Sequence, residues 1–550
     1  MRITLLPRSA GRHINGWTIT SVIGAAAVLL PILYVLAGLF RSPNENWDKV
    51  KQFLLTDYML GSAKLVLFTG FFAAFIGVAL AWLIAGYTFP LRNFYKWALV
   101  LPLAVPPYIA AYTYSSMTGY TGIIQATLRN RFGIVLPPGT IEIMSDRGAV
   151  FVLTLFLFPY VFMITRVFLE RQSASFIENA RLLGHKPLSV FFRVVLPLAR
   201  PAMMAGFMLV VFEVLSDYGV ANYFGVQTLS TAIFQTWFGM YDVQSAMRLA
   251  AWLMLGVISL FILERWLRRS RRYSAATRRS QPLQPLQPQR LKGLAAWGAA
   301  LYCTVVFALA FLAPVAQLAA WSIQHGSAVW RLGFAEWTAN TLKGAGIGTT
   351  IVLLIALLST RAARMSGSSL MQALARLMSA GYSVPGAIVA IGVLAVFLAL
   401  DERLAPLYKA MGKADGALVL SLSLAMLIAG YVIRFLATGY GALEAGYEKM
   451  PRAYSEASRT LGRSSLATFL RVELPLLKGS LLSGFVLTFV EIVKELPLTL
   501  LLRPFNYDTL STRAYQYAAD ERVFDAALPS LLLVLIGLVS VLFMLKAERK

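Results

Sequence analysis

Long apolar runs alternate with short polar and basic segments along the whole chain. A helix that crosses a bilayer needs about 20 mostly apolar residues, and twelve runs approach that length. In the first half they fall near Trp17–Phe40, Gly61–Tyr87, Phe94–Met117, Gly148–Glu170, Arg200–Phe224 and Ala246–Leu267. In the second half they fall near Leu294–Ser322, Leu342–Thr360, Gln372–Leu400, Gly416–Ala437, Lys478–Leu502 and Phe524–Lys546. The pattern predicts an all-α, polytopic membrane protein of about 12 transmembrane helices. It divides the chain into a first half (1–268), a basic linker with Pro-Leu-Gln repeats (269–292) and a second half (293–550).

The halves carry one stretch in common. Residues 178–213 and 456–491 align without a gap at a constant offset of 278. Glu178, Arg181, Leu183, Gly184, Arg193, Leu196, Pro197, Gly206 and Glu213 meet Glu456, Arg459, Leu461, Gly462, Arg471, Leu474, Pro475, Gly484 and Glu491. A fixed-period repeat in a long apolar chain marks a duplicated unit. Each copy opens as a short polar helix that Gly184 or Gly462 can end, then enters an apolar segment at Leu-Pro. A re-entry loop at the membrane surface would have no reason to keep Glu, Gly and Leu-Pro at one spacing.

Composition narrows the class. Of 550 residues, 58% are hydrophobic and 14% charged, against about 25% charged in a soluble domain. Mean hydropathy is +0.66. Formal net charge is +24, but the basic residues crowd between spans, Arg265 to Lys292 above all, so nucleic-acid binding is not expected. Basic flanks are retained on the cytoplasmic side. Arg2, Arg8, Arg12, the linker, both repeated loops and the terminal Lys546, Arg549 and Lys550 then all agree with cytoplasmic N- and C-termini. The segment 119–147, with Arg129, Arg131 and Arg147, fits least well. Both halves start on the same side, so they are parallel six-helix repeats about an axis along the membrane normal. The first span has no small-residue cleavage site after it and is expected to be retained rather than removed as a signal peptide. Cys303 is the single cysteine and lies in an apolar run. His13, His185 and His325 are scattered, so no histidine metal cluster is expected.

Acids inside membrane spans are costly and are functional candidates by default. Glu213 and Asp217 are four residues apart, Glu491 and Glu495 are their counterparts, and each pair lies about 20 Å along its helix from Arg200 or Lys478. They form either an oxygen-ligand cluster on the path of a cation, with Tyr218 and Tyr223 near, or a set of interhelical salt bridges and helix ends, with Lys494 neutralising one of them. Beyond each pair, Gln227–Ile233 and Asp508–Ala514 share Thr-Leu-Ser-Thr; each then runs into an aromatic, amphipathic stretch, which suits a short helix at the outer surface that meets a docked partner.

The Glu-x-Ala-x-x-x-Gly, Leu-Pro pattern of the first copy, matched by Glu456, Gly462 and Leu474-Pro475 in the second, resembles the coupling loop of bacterial ABC importer permeases, departing at Asn179 and Ser458. KELPLTLLLRPFNYDTL, EVLSDYGV, VPPYIAAYTY and SVPGAIVAIGV sharpen this to a resemblance to the fused, two-half permeases of ferric iron importers. The resemblance implies the type I permease fold and a binding-protein-dependent inner-membrane component that carries ferric iron by alternating access. It implies as partners the lipid bilayer, two copies of a cytoplasmic ABC ATPase and a periplasmic ferric-ion-binding protein. Glu178, Arg181, Leu183, Gly184, Glu456, Arg459, Leu461 and Gly462 would couple to the ATPase. Glu213, Asp217, Glu491 and Glu495 would line the substrate path and, if a metal site forms, hold the ion. The chain has no G-x-x-x-x-G-K-[ST] phosphate loop; Gly344 to Thr350 lacks the lysine. No cofactor is therefore expected in it, no enzyme activity of its own, and ATP with Mg²⁺ would bind the partner. The same kind of importer for thiamine or a polyamine, and an ion-coupled secondary transporter, are the alternatives; the second has no use for two docking loops.

Overall fold

The computed structural model describes residues 16–137, 139–171, 174–269, 286–366, 374, 384–414, 416 and 418–548. The expected anchors Arg2, Arg8, Arg12, Arg549 and Lys550, most of the linker and the start of the Gln372–Leu400 span lie outside them.

The first half runs α1 (Gly16–Ala37), α2 (Leu55–Gly86), α3 (Pro107–Thr118), α4 (Asp146–Arg171), the short α5 (Ala174–Leu182), α6 (Leu196–Ser216), α7 (Gly219–Tyr223), α8 (Leu229–Phe234) and α9 (Val243–Arg269). The second half repeats the order: α10 (Gly293–Phe307), α11 (Ala313–Arg331), α12 (Phe334–Ser366), α13 (Gly386–Ala410), α14 (Leu424–Lys449), the short α15 (Arg452–Thr460), α16 (Lys478–Lys494), α17 (Pro497–Leu502), α18 (Leu510–Ala519) and α19 (Val523–Glu548). Among the described residues nine helices are long and apolar enough to cross a membrane, or up to eleven if each of two bent pairs is one span. The chain is a multi-pass, all-α membrane protein, as the hydropathy pattern predicts.

Each half is built on a three-helix core, α2, α4 and α6 in the first and α12, α14 and α16 in the second. Repeated small residues let the backbones close. A Cβ on Gly206 would lie 2.6 Å from Val161 Cα, and one on Gly439 2.7 Å from Val352 Cγ1. In lipid, where apolar contact alone gives helices no reason to associate, this packing holds spans together.

The first helix of each half leans on the other half. The α1 helix packs on α12 and α13, so closely that a Cβ on Gly392 would sit 2.7 Å from the Pro31 carbonyl. From the other side, α11 meets α3. Tyr95 shares a 2.6 Å hydrogen bond with Thr304, and the Tyr114 hydroxyl donates to the Leu309 carbonyl.

Both α6 and α16 stop short of the predicted spans, one residue before Asp217 and Glu495. The break is local chemistry. Asp217 Oδ1 accepts from the Val220 and Ala221 N–H groups at 3.0 and 3.1 Å, and Glu495 Oε1 accepts from Leu498 N–H at 3.1 Å. Each acid thereby satisfies orphan donors at the start of α7 or α17. On the other side, Ser230 donates to the Leu215 carbonyl and Ser511 to that of Glu495, at 2.8 and 2.9 Å.

The Thr-Leu-Ser-Thr helices α8 and α18 are not surface helices. Their four motif residues are buried in both halves. Reciprocal capping boxes, Thr228 with Thr231 and Thr509 with Thr512, close their N-termini. Leu229 N–H donates to Ser62 and Leu510 N–H to Thr341. With backbone donors satisfied internally, a short helix can be inserted into the bundle, which composition alone does not reveal.

Candidate functional site

Two places carry candidate chemistry. One is the end of the bundle formed by the repeated loops; the other is a cavity between the halves at the helix breaks.

At the loop end, α5 and α15 finish in the same way. Gly184 and Gly462 adopt φ +77° and +81°. Gly184 N–H bonds to Arg181 O and His185 N–H to Ala180 O; in the second copy Gly462 N–H bonds to Arg459 O and Arg463 N–H to Ser458 O. This is a Schellman ending, which a left-handed glycine permits. After a further short turn, five residues of π-helix follow, Phe191–Val195 and Phe469–Glu473. Pro197 and Pro475 have no N–H to give the carbonyl four residues back, so the ladder widens there.

This geometry leaves Leu183 78% and Leu461 82% exposed, bare knobs on corresponding positions. Glu178 is half-buried, and Glu456 is exposed. The two arginines differ. Arg459 is exposed, whereas Arg181 folds back over the Trp82 and Tyr87 rings, 5.6 and 5.8 Å from their centroids.

The cavity, ≈ 130 Å³, collects all four predicted acids, Glu213, Asp217, Glu491 and Glu495. The repeat brings the two pairs together from opposite halves. It also brings two cations, Arg434 and Lys494. Lys494 Nζ lies 2.9 Å from Glu491, and Arg434 Nε 3.1 Å from Glu495. Four carboxylates and two cations give the lining a formal charge of −2. A second cavity, ≈ 390 Å³, shares Leu103, Tyr160, Glu491 and Lys494 and continues past Leu487, Gly441 and Ala442 toward the loop end. The opposite wall is Pro106, Pro107, Tyr108, Tyr218, Gly219, Leu496 and Pro497. Asp217 and Glu495 cap helices, Glu491 and Glu495 pair with cations, and all four line one space. Among the described residues no three His, Cys, Asp or Glu side chains converge as a metal ligand set.

Sequence reasoning missed Arg434 and Tyr108. Arg434 had a usable signal, since an arginine at a helix centre in a bilayer costs about 2.5–3.5 kcal/mol and so asks for a partner. Tyr108 had none, because its role depends on which way a bent segment faces.

The family described as "Binding-protein-dependent transport system inner membrane component" matches residues 77–273 and 335–550. The chain is 25% identical over 540 residues to the "Fe(3+)-transport system permease protein FbpB 2" of Haemophilus influenzae, covering 96% of this chain and 97% of that protein. It is 32% identical over 143 residues to the "Molybdenum transport system permease protein ModB" of Escherichia coli K12, 26% of this chain and 60% of that one. It is 26% identical over 267 residues to the "Probable sulfate transport system permease protein cysT" of Nephroselmis olivacea, 46% and 90% of the respective chains.

Proposed function

This chain belongs to the binding-protein-dependent transport system inner membrane components, and from that premise we propose that it is the whole transmembrane pathway of an ATP-driven importer for ferric iron. A periplasmic binding protein delivers the ion at the end opposite the repeated loops. Two cytoplasmic ATPase chains, holding ATP and Mg²⁺, grip those loops. Their closure and opening rock the two three-helix cores, and the cavity between them faces one side and then the other. The N- and C-termini lie in the cytoplasm with the loops.

The observation that carries this reading is the joint placement of two features. Matched loops present bare leucines at one end, and a lining of formal charge −2 lies between the halves. Burying one leucine in a partner groove contributes about 1.5–3 kcal/mol, so Leu183 and Leu461 supply a substantial part of the grip. The acidic lining suits a cationic cargo. It argues against an anion such as the sulfate in the name of one relative, because an anion there would meet like charge at close range.

The test is reconstitution with the ATPase subunits in liposomes. Iron-loaded binding protein should stimulate ATP hydrolysis and drive ⁵⁵Fe uptake, and the empty protein should not. Leu183→Asp combined with Leu461→Asp should abolish stimulation without lowering thermal stability, since both side chains are solvent-exposed. Stimulation by a molybdate- or thiamine-loaded protein instead would discard iron and keep the class. An ATPase that binds the double variant as well as the parent would discard the docking surface.

A further inference from the structure

Tyr108 stands at the start of α3, just past Pro106 and Pro107, in the wall of the central cavity opposite the loop end. It is 5% exposed. Its ring is wedged between the halves: the Tyr515 ring lies edge-on at 6.0 Å, and a Cβ on Gly219 would come within 2.6 Å of the Tyr108 Cβ. Its hydroxyl is buried and has no hydrogen-bond partner among the described residues.

A buried hydroxyl without a partner is a standing loss of stability that phenylalanine, of nearly the same shape, would avoid. The neighbouring tyrosine shows the usual solution, with the Tyr112 hydroxyl bonded to Ser530. In the same cavity Glu495 already serves Arg434 and the Leu498 N–H, and Asp217 the N–H groups of Val220 and Ala221. Tyr108 is therefore a buried oxygen donor whose hydroxyl bonds to none of the described residues.

We propose that the Tyr108 hydroxyl is a cargo-contact group, an oxygen donor that engages a hard cation, or a water of its hydration shell, as the ion passes Glu495. Phenolic oxygen accepts a hydrogen bond from metal-bound water, and hard cations take oxygen ligands. The contact exists only while cargo is in the cavity, so it favours passage over retention. This rests on the iron-importer reading above.

The experiment compares Tyr108→Phe and Tyr112→Phe in the complete transporter, reading ⁵⁵Fe uptake, ATPase stimulation by iron-loaded binding protein, and melting temperature. Tyr108→Phe should keep or raise the melting temperature and keep stimulated ATPase activity. Its uptake per ATP hydrolysed should fall about ten-fold, the order seen when one supporting oxygen or nitrogen group is lost near a bound metal. Tyr112→Phe should lower the melting temperature and leave uptake per ATP unchanged. Uptake per ATP equal to the parent in Tyr108→Phe, or an equal fall in both variants, overturns the proposal. Failure of the parent transporter to respond to iron-loaded protein would instead strike the underlying iron reading, so the two failures are distinguishable.

Discussion

The two repeated loops look alike from outside and are seated differently within. Beneath α5 the seat is apolar: Ile177, Ala180, Val190 and Val195 pack with Trp82, Tyr87 and Leu169. Beneath α15 the position of Val195 is taken by Glu473, buried and 3.3 Å from Arg361 Nε. Tyr447 and Ser455 donate to the same carboxylate, and Arg361 reaches the Ser465 carbonyl and hydroxyl. The tethering cation even changes sides. In the first half it sits on the loop, Arg181 over Trp82 of α2; in the second it sits on α12 and reaches the loop. The second copy also bends by 69° between Leu476 and Lys478, where the first runs on as one helix. Backbone capping and the π turn thus keep the exposed leucines in matching positions, while the glue below them is interchangeable.

The largest effect should come from breaking the polar seat on one side. Glu473→Leu leaves Arg361 buried without its carboxylate and should cost about 3–5 kcal/mol, whereas Arg361→Met with Glu473→Leu should recover most of it. Thermal unfolding of the three proteins reads this. In the apolar seat, Val195→Ala should cost only about 1–3 kcal/mol by opening a small cavity. A Glu473→Leu melting point no lower than that of Val195→Ala would mean the seats differ in appearance alone.

Next come the glycines. A Cβ at Gly184 or Gly462 meets nothing within 4 Å, so Ala there pays only for left-handed backbone, about 1–2 kcal/mol in each half. Equal losses would confirm that the endings are equivalent; a clearly unequal pair would show that one loop can relax. Smaller again, Arg181→Ala should lose about 0.5–1 kcal/mol through its aromatic contacts, while Arg459→Ala, exposed, should not change the melting point. If Arg459→Ala weakens ATPase stimulation, the second loop keeps a polar contact that the first has turned inward.

The smallest effect lies at the opposite end. Just before α9, Asp242 accepts from Asn44, Asn46 and Ser245, where the second half has Arg522 paired with Asp525. Burial alone would raise the Asp242 carboxyl, but these hydrogen bonds outweigh it and hold it below its ordinary value of 3.8. A folded value below the unfolded one means the contribution is present above the unfolded value and is lost as pH falls through the folded one. Wild type should therefore melt slightly above Asp242→Asn at neutral pH, and the gap should close in acid. An unchanged gap at low pH would show that the carboxylate charge is not what matters.

Much of this was written in the chain. The offset of 278 foretold the paired loops and made Glu213 and Asp217 the equivalents of Glu491 and Glu495, but that the four line one cavity came only from the fold. Sequence reading went astray where tertiary context overrides composition. An aromatic, amphipathic stretch looks like a surface helix, yet Ser62 and Thr341 on other spans draw the Thr-Leu-Ser-Thr turns inward. The spans through Asp217 and Glu495 read as continuous because apolar periodicity does not register a carboxylate that caps the next helix. Glu473 stood in the repeat next to Leu-Pro, but its partner Arg361 is more than 100 residues earlier and shares no periodic pattern with it.

The crossing of α1 onto α12 and α13 has a consequence for synthesis. Its partners leave the ribosome about 300 residues later, roughly 15–60 s at ordinary elongation rates. Through that interval α1 must wait in lipid with its future contact face, including the groove beside Pro31, open to chance neighbours. The first half cannot complete its assembly on its own timetable, and joining both halves in one polypeptide keeps the awaited surface tethered to the helix that needs it.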